Sequence, residues 1–412
     1  MTALPRIAWT ERPDAGDRLL LVVDLRPLAG VAVGAILIVA PFLAAPLGRL
    51  SAPFALLVTL PPLALALAAF GWRDRLAVRL ASIRRPLVRL LTTYATWLLT
   101  SALLTLDVAA VAAASVGIAV GGDHDEERRW QLGGAILGAN VGSLLLPFSN
   151  LTNLVLVSAT GLGLAAYVGL AVWPQLAAAL AVGLLFAVRA RRRIAGRPAD
   201  DAHGEDGTSA QPSGTSDAAA GVAGGVAVVG ALAAVAVGLT GGDMAVPFAM
   251  SAGLLAGVAV AIARLDVRAV VKSVPLAGLA IIGIAVAASG PIDMAAGLLP
   301  RPDASTGGLL LALALGSVLA AVANNLPAAA FGVAWLARAH PASIIAYLIG
   351  TNVAALATPH GSVATILARA VGGRHGVGTR PAPTSVPHGG MRQRAQLRRS
   401  WLWPWRPGSA PS

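Results

Sequence analysis

Charged side chains are too scarce in this sequence to cover the surface of a soluble domain. They make up 12% of the 412 residues, whereas 56% are hydrophobic, and an ordinary soluble domain has about 25% charged residues. Apolar stretches of about 20 residues recur along the chain, and this is the length that crosses a bilayer as a helix. The sequence therefore predicts a membrane protein.

Cysteine is absent, which excludes disulfides and thiolate metal ligands. Alternating ten-residue segments of a β-barrel are also missing, and continuous Ala, Leu, Val and Gly runs favour helices. The net charge of +12 does not indicate nucleic-acid binding, because the arginines cluster beside apolar segments as the positive-inside rule requires. We expect an all-α polytopic protein of the bacterial inner membrane, without cofactor or metal.

Five parts follow from the order of apolar, basic and polar segments. Residues 1–27 form a predicted cytoplasmic leader, and residues 371–412 form a basic Pro/Gly-rich tail that is too polar to span a membrane. Between them lie two transmembrane halves, 28–194 and 218–370. The Gly/Pro/Ser/Asp-rich segment 195–217 is typical of a flexible linker on the cytoplasmic side.

Each half contains one predicted helical hairpin followed by one broken helix. In chain order these four segments are 88–122, 131–161, 307–338 and 342–370. Asp107 lies near the middle of the first hairpin, and Asn324 and Asn325 interrupt the second. With the leader and all arginine clusters on the cytoplasmic side, the two hairpins enter the membrane from opposite faces. Residues 123–129 are expected to form a solvated loop.

A short repeat links the two broken helices. GANVGSLLLP begins at Gly138 and GTNVAALATP begins at Gly350, with five of the ten positions identical. Two of these matches pair Asn140 with Asn352 and Pro147 with Pro359. Because the hairpins before them enter from opposite faces, the sequence predicts an inverted-repeat transporter with two re-entrant hairpins and two broken helices.

Proline explains the predicted breaks. It lacks a backbone N–H and clashes with the preceding turn, so a helix stops near it. The predicted helix-breaking residues are Pro147, Pro327 and Pro359. Freed carbonyls and half-helix N-termini would then point into a cavity near the midplane of the membrane.

Four segments resemble the arsenite/antimonite efflux permeases (ArsB type) of the ion-transporter superfamily. They are ALLTLDV from Ala102, PFSNLTN from Pro147, ANNLP from Ala323 and TPHGSVAT from Thr358. The resemblance implies efflux driven by the membrane potential or protons, a homodimer built on a scaffold with a moving transport part, and in some members a soluble arsenite-stimulated ATPase. The partners implied are therefore the lipid bilayer, a small inorganic solute, a second copy and such an ATPase.

The same resemblance implies which residues contact the solute or ion. They are Asp107, Ser149, Asn150, Thr152, Asn153, Asn324, Asn325, Gly361, Ser362 and Thr365, and the repeat adds Asn140 and Asn352 to the predicted binding residues. A carboxylate in an apolar hairpin indicates proton transfer at Asp107, with a helix cap as the alternative. Hydrogen bonding between helices is the alternative for the polar residues of the first break.

Other functions remain open at this point. The same fold could carry another small anion or exchange sodium for protons. Members of the resembled family end with a further span that residues 371–412 cannot form, which allows an inactive membrane remnant. An enzyme would need a nucleophile–base pair or metal ligands on facing helices, and the sequence contains no such pattern. We therefore expect a transporter and not an enzyme.

Overall fold

Helices dominate the parts of the chain that the structure describes. The computed structural model describes residues 7–10, 20–23, 25–45, 51–122, 125–195, 217–262, 264–274 and 289–354. These residues all fall within one compact unit, Met1–Gly378. Inside the predicted leader, strands β1 (Ile7–Thr10) and β2 (Leu20–Val23) pair in an antiparallel hairpin.

Eight α-helices follow in the first half. They are α1 (Arg26–Ala44), α2 (Ser51–Ala69), α3 (Trp72–Ala81), α4 (Pro86–Leu103), α5 (Leu106–Val120), α6 (Asp125–Gly142), α7 (Leu151–Thr160) and α8 (Leu164–Ala195). A 3₁₀ helix, Pro147–Ser149, lies between α6 and α7. Proline occupies the first turns of α1 and α4, where the missing N–H is not needed. Gly161 ends α7 in a left-handed conformation with φ 73°.

Seven α-helices are described in the second half. They are α9 (Asp217–Leu239), α10 (Ala245–Ala261), α11 (Val267–Ser273), α12 (Ser289–Gly297), α13 (Thr306–Ala323), α14 (Asn325–Leu336) and α15 (Pro341–Ala354). The tail, most of the linker and the second break lie outside the described residues.

Among the described residues, five helices are long and apolar enough to cross a membrane. They are Arg26–Ala44, Ser51–Ala69, Leu164–Arg192, Ala218–Leu239 and Thr306–Ala323. Large apolar side chains project from them, for example Val31, Trp173 and Leu180, which are 71%, 73% and 74% exposed. Such a surface is stable only against lipid. The described chain is therefore a helical membrane protein.

Glycines bring α1 and α10 into close antiparallel contact. The backbone of Gly30 lies against Gly257, and that of Gly34 against Gly253. A Cβ added at Gly257 would stand 2.8 Å from the carbonyl oxygen of Gly30, and one at Gly34 would stand 3.0 Å from that of Gly253. Each helix thus contributes a small-xxx-small motif, which lets helix backbones approach closely in lipid.

Helices α4 and α6 pack side by side with their N-termini together. Arg89 forms an ion pair with Glu127 near one end, and Thr93 Oγ1 donates to Gln131 Oε1 at 2.8 Å one turn further on. Toward the other end Ser101 Oγ donates to a carbonyl oxygen of α6 at 2.6 Å. These contacts position the end of α6, where the first break begins.

The predicted solvated loop at 123–129 is wrong beyond residue 124. Helix α6 already begins at Asp125, with Glu126 and Glu127 also in its first turn. Acidic side chains suit this position because they oppose the positive end of the helix dipole. Glu127 is only 9% exposed because Arg89 of α4 covers it.

Candidate solute-binding site

The first break is a tight, buried turn between two helices. Helix α6 ends at Gly142, and Pro147 then opens the 3₁₀ helix that leads to α7. Ser149 Oγ donates to carbonyl oxygens freed by the turn, those of Ser143 and Leu146, both at 2.5 Å. Pro147 thus lies inside the break, as the sequence predicts.

An amide cluster of Asn150, Asn153 and Asn352 joins the two halves of the chain at this break. Asn150 Nδ2 donates to Asn352 Oδ1 at 2.5 Å, and Asn352 Nδ2 donates to Asn153 Oδ1 at 3.0 Å. Asn153 Nδ2 in turn donates to the carbonyl oxygen of Ser143 at 2.7 Å. All three asparagines are at most 6% exposed. These three predicted site residues therefore lie together, although about 200 residues of sequence separate Asn352 from the others.

Asn150 also begins α7. Its Oδ1 accepts a hydrogen bond from the backbone N–H of Thr152 at 3.1 Å, which makes it the N-cap of that helix. The same side chain thus satisfies a helix end with its oxygen and reaches Asn352 with its nitrogen. The N-terminus of α7 is thereby held at the amide cluster.

Asn140 does not join the amide cluster through its nitrogen. It matches Asn352 in the sequence repeat, but its Nδ2 donates to the carbonyl oxygen of Ile136 in its own helix at 2.9 Å. Two residues at equivalent positions of the repeat therefore have different hydrogen-bond partners.

In the predicted second hairpin a single residue, Asn324, separates α13 from α14 and forms the tip. Its φ of 89° is a conformation that L side chains rarely adopt, and no other non-glycine residue in the described ranges has a positive φ. Its Oδ1 caps α14 by accepting from the backbone N–H of Leu326 at 3.1 Å. Pro327 is the third residue of α14, so the break precedes this proline and does not occur at it. A proline fits there because first-turn N–H groups need no helical partner.

This tip meets the first break. Leu326 of α14, Leu151 of α7 and Leu57 of α2 form one buried cluster. Beside it, Asn325 Oδ1 and Thr152 Oγ1 are buried and have no hydrogen-bond partner among the described residues. Buried polar atoms without partners are costly, so such a pair indicates a place for a further polar ligand.

Other predicted residues are only partly placed. The first hairpin turns at Leu104 and Thr105, and Asp107 is the second residue of α5, just past the tip. The side chain of Asp107 lies outside the described residues. The same holds for the whole second break, which includes Pro359, Gly361, Ser362 and Thr365.

Three tyrosines that the sequence patterns did not single out link helices through the backbone. Tyr167 Oη donates to the carbonyl oxygen of Leu144 in the first break at 2.6 Å. Tyr347 Oη likewise donates to the carbonyl oxygen of Ala328 at 2.6 Å, and Tyr94 Oη donates to that of Ala179 in α8 at 2.9 Å. They are the three tyrosines of the chain. Their place in apolar helices was the available signal, because a buried phenol needs a partner.

Neutral groups make up the described part of the site. Its polar side chains are amides and hydroxyls, and the described residues contain no group of three or more His, Asp or Glu side chains that could hold a metal ion. Amides and hydroxyls both donate and accept hydrogen bonds. Such a set suits a small hydroxylated solute.

The chain matches no known protein-family profile and no curated protein sequence.

Proposed function

We propose that this protein is a secondary transporter of the bacterial inner membrane that exports arsenite or antimonite. The observation that supports this most strongly is the amide cluster, in which Asn352 bridges Asn150 and Asn153. Polar side chains buried at membrane depth are costly and belong by default to a functional site. Here they come from both halves of the chain and meet at a helix break.

The chemistry of the site favours a neutral hydroxide or an oxyanion. Asn150 and Asn324 hold the N-termini of α7 and α14 at the site, and helix N-termini favour negative charge or polar oxygens. Thr152 Oγ1 and Asn325 Oδ1 have no hydrogen-bond partner among the described residues, and they supply one group that donates or accepts and one acceptor. Because the chain has no cysteine, trivalent arsenic would be held through its oxygen atoms and not by thiolates.

An inverted arrangement of the two halves is part of the proposal. The contact between α1 and α10 is self-complementary, because the first glycine of each motif meets the second glycine of the other. Contacts of this kind arise around a two-fold axis. For antiparallel helices from the two halves, such an axis would lie in the membrane plane, as inverted repeats require.

Cysteine labelling tests the inverted arrangement, because the natural chain is already free of cysteine. Ala81→Cys before the first hairpin and Ala304→Cys before the second are both at exposed positions. In spheroplasts, a membrane-impermeant maleimide should label Ala304→Cys and should label Ala81→Cys only after permeabilisation. Labelling of both from the same side would contradict opposite entry of the hairpins.

Arsenite accumulation in cells tests the proposed activity. Cells that lack their own exporter should accumulate less arsenite when they produce the inserted protein, and a protonophore should abolish the difference, because a secondary transporter needs the membrane gradient. Unchanged accumulation with inserted protein would contradict arsenite export and favour another small anion or an inactive chain.

A further inference from the structure

Gln175 has a buried side-chain amide that is not part of the candidate site described above. It lies near the middle of the span Leu164–Arg192 and is 3% exposed. Neither its Oε1 nor its Nε2 has a hydrogen-bond partner among the described residues. A carboxamide at membrane depth without a partner costs several kcal/mol by general estimates. Such an amide is stabilised when a polar group binds to it.

Two hydrogen bonds fix where Gln175 lies. On one side of it along α8, Tyr167 bonds the carbonyl oxygen of Leu144 in the first break. On the other side, the carbonyl oxygen of Ala179 accepts from Tyr94 of α4. Tyr167, Ala171 and Gln175 are buried at successive turns of α8, so Gln175 lies on the same buried face as Tyr167. Along the helix it lies between these two contacts.

That region is the end of α6. The backbone of Tyr94 lies directly against Gly138, whereas Leu144 follows the last residue of α6 by two positions. Because α8 runs antiparallel to α6 between these contacts, Gln175 is level with the segment from Gly138 to Leu144.

We propose that Gln175 is a second binding position for the transported solute, on the α8 side of the first break. This inference rests on the proposed function. A carboxamide offers two donors and an acceptor, so its ligand is a small neutral solute with hydroxyl groups, which can accept and donate together. The amide cluster and Gln175 would then contact the solute from opposite sides of the break.

Thermal unfolding of the purified full-length protein in detergent, titrated with sodium arsenite without thiol reductants, tests this inference. Gln175→Met keeps the shape and removes both unpartnered atoms. Without arsenite its Tm should therefore rise by about 2–4 °C. The arsenite concentration that gives half of the maximal Tm shift should rise about 10-fold.

Gln131→Met is the matched control. Gln131 is also buried, but its Oε1 already accepts from Thr93, and only its Nε2 has no partner among the described residues. Its replacement removes the acceptor of the buried Thr93 hydroxyl as well as one unsatisfied atom, so Tm should stay at or below that of the wild type. The arsenite titration should match that of the wild type.

Each remaining outcome overturns the inference. A Gln175→Met protein with the wild-type arsenite midpoint would mean that the amide binds internal water only. A Tm below the wild type would mean that the amide is satisfied within the folded protein. If the wild type itself gave no Tm shift with arsenite, the proposed function would fail together with the inference, whereas the first two outcomes leave the proposed function intact.

Discussion

Replacing Asn352 with leucine should reduce arsenite export about 10-fold or more, because the amide cluster loses its central member. The leucine cannot accept from Asn150 or donate to Asn153, so two buried amide atoms of the first half lose their partner. Each unsatisfied atom costs about 1–3 kcal/mol. Export is measured as arsenite efflux from preloaded cells, normalised to the amount of folded protein in detergent extracts.

Asn140→Leu is the control for this prediction, because Asn140 occupies the equivalent position of the repeat. Its amide nitrogen bonds Ile136 in its own helix, so its loss should leave export within about 2-fold of the wild type, as expected for a neutral local bond. Equal losses of export for both variants would contradict a special role for the bridge between the halves. Unchanged export by Asn352→Leu would remove the amide cluster from the mechanism.

Replacing Gly142 with alanine should strongly destabilise the folded protein. A Cβ at this position would overlap the carbonyl oxygen of Leu98 and stand 2.5 Å from Ser101 Oγ. The overlapped atom belongs to the backbone of α4 and cannot rotate away, so the two helices must separate. Such overpacking costs about 1–3 kcal/mol or more. Fluorescence-detected size-exclusion chromatography and thermal unfolding measure the loss.

Gly133→Ala in the same helix is the control. Nothing lies within 4 Å of a Cβ added there, and alanine favours a helix over glycine by about 1 kcal/mol. Gly133→Ala should therefore be at least as stable as the wild type. If Gly142→Ala behaved in the same way, the close approach of α4 and α6 would be wrong.

Features that depend on neighbouring residues could be predicted from the sequence. Long apolar runs predict the membrane helices, and the described helices α1, α2, α8 and α9 coincide with apolar runs long enough to span a membrane. The break around Pro147 also depends on local chemistry, since proline and the Asn150 cap act within a few residues. Such features follow because their physical causes lie within one or two helical turns.

Features that depend on tertiary contacts could not be predicted. The sequence repeat treats Asn140 and Asn352 alike, yet only the contact between the halves shows that Asn352 reaches Asn150. Glu127 lies in a strongly polar segment that is typical of a loop, and only the ion pair with Arg89 explains its burial. In each case the partner lies at least 38 residues away in the chain, beyond the reach of periodicity.

Gln175 shows the same limit for a single residue. A glutamine after a proline in an apolar helix gives no signal of its partner or of its absence. The burial of its side chain depends on how other helices pack against α8, which the sequence pattern does not determine. The structure alone shows that its amide is enclosed.

Transport into sealed vesicles is the most direct test of gradient-driven arsenite transport by this protein. Purified protein is reconstituted into proteoliposomes, and uptake of radioactive arsenite is followed after a membrane potential or a proton gradient is imposed. We expect uptake that depends on the gradient and is abolished when the gradient is dissipated. Uptake should be strongly reduced for Asn352→Leu but not for Asn140→Leu. Vesicles with correctly inserted wild-type protein that take up no more arsenite than protein-free vesicles would contradict this expectation.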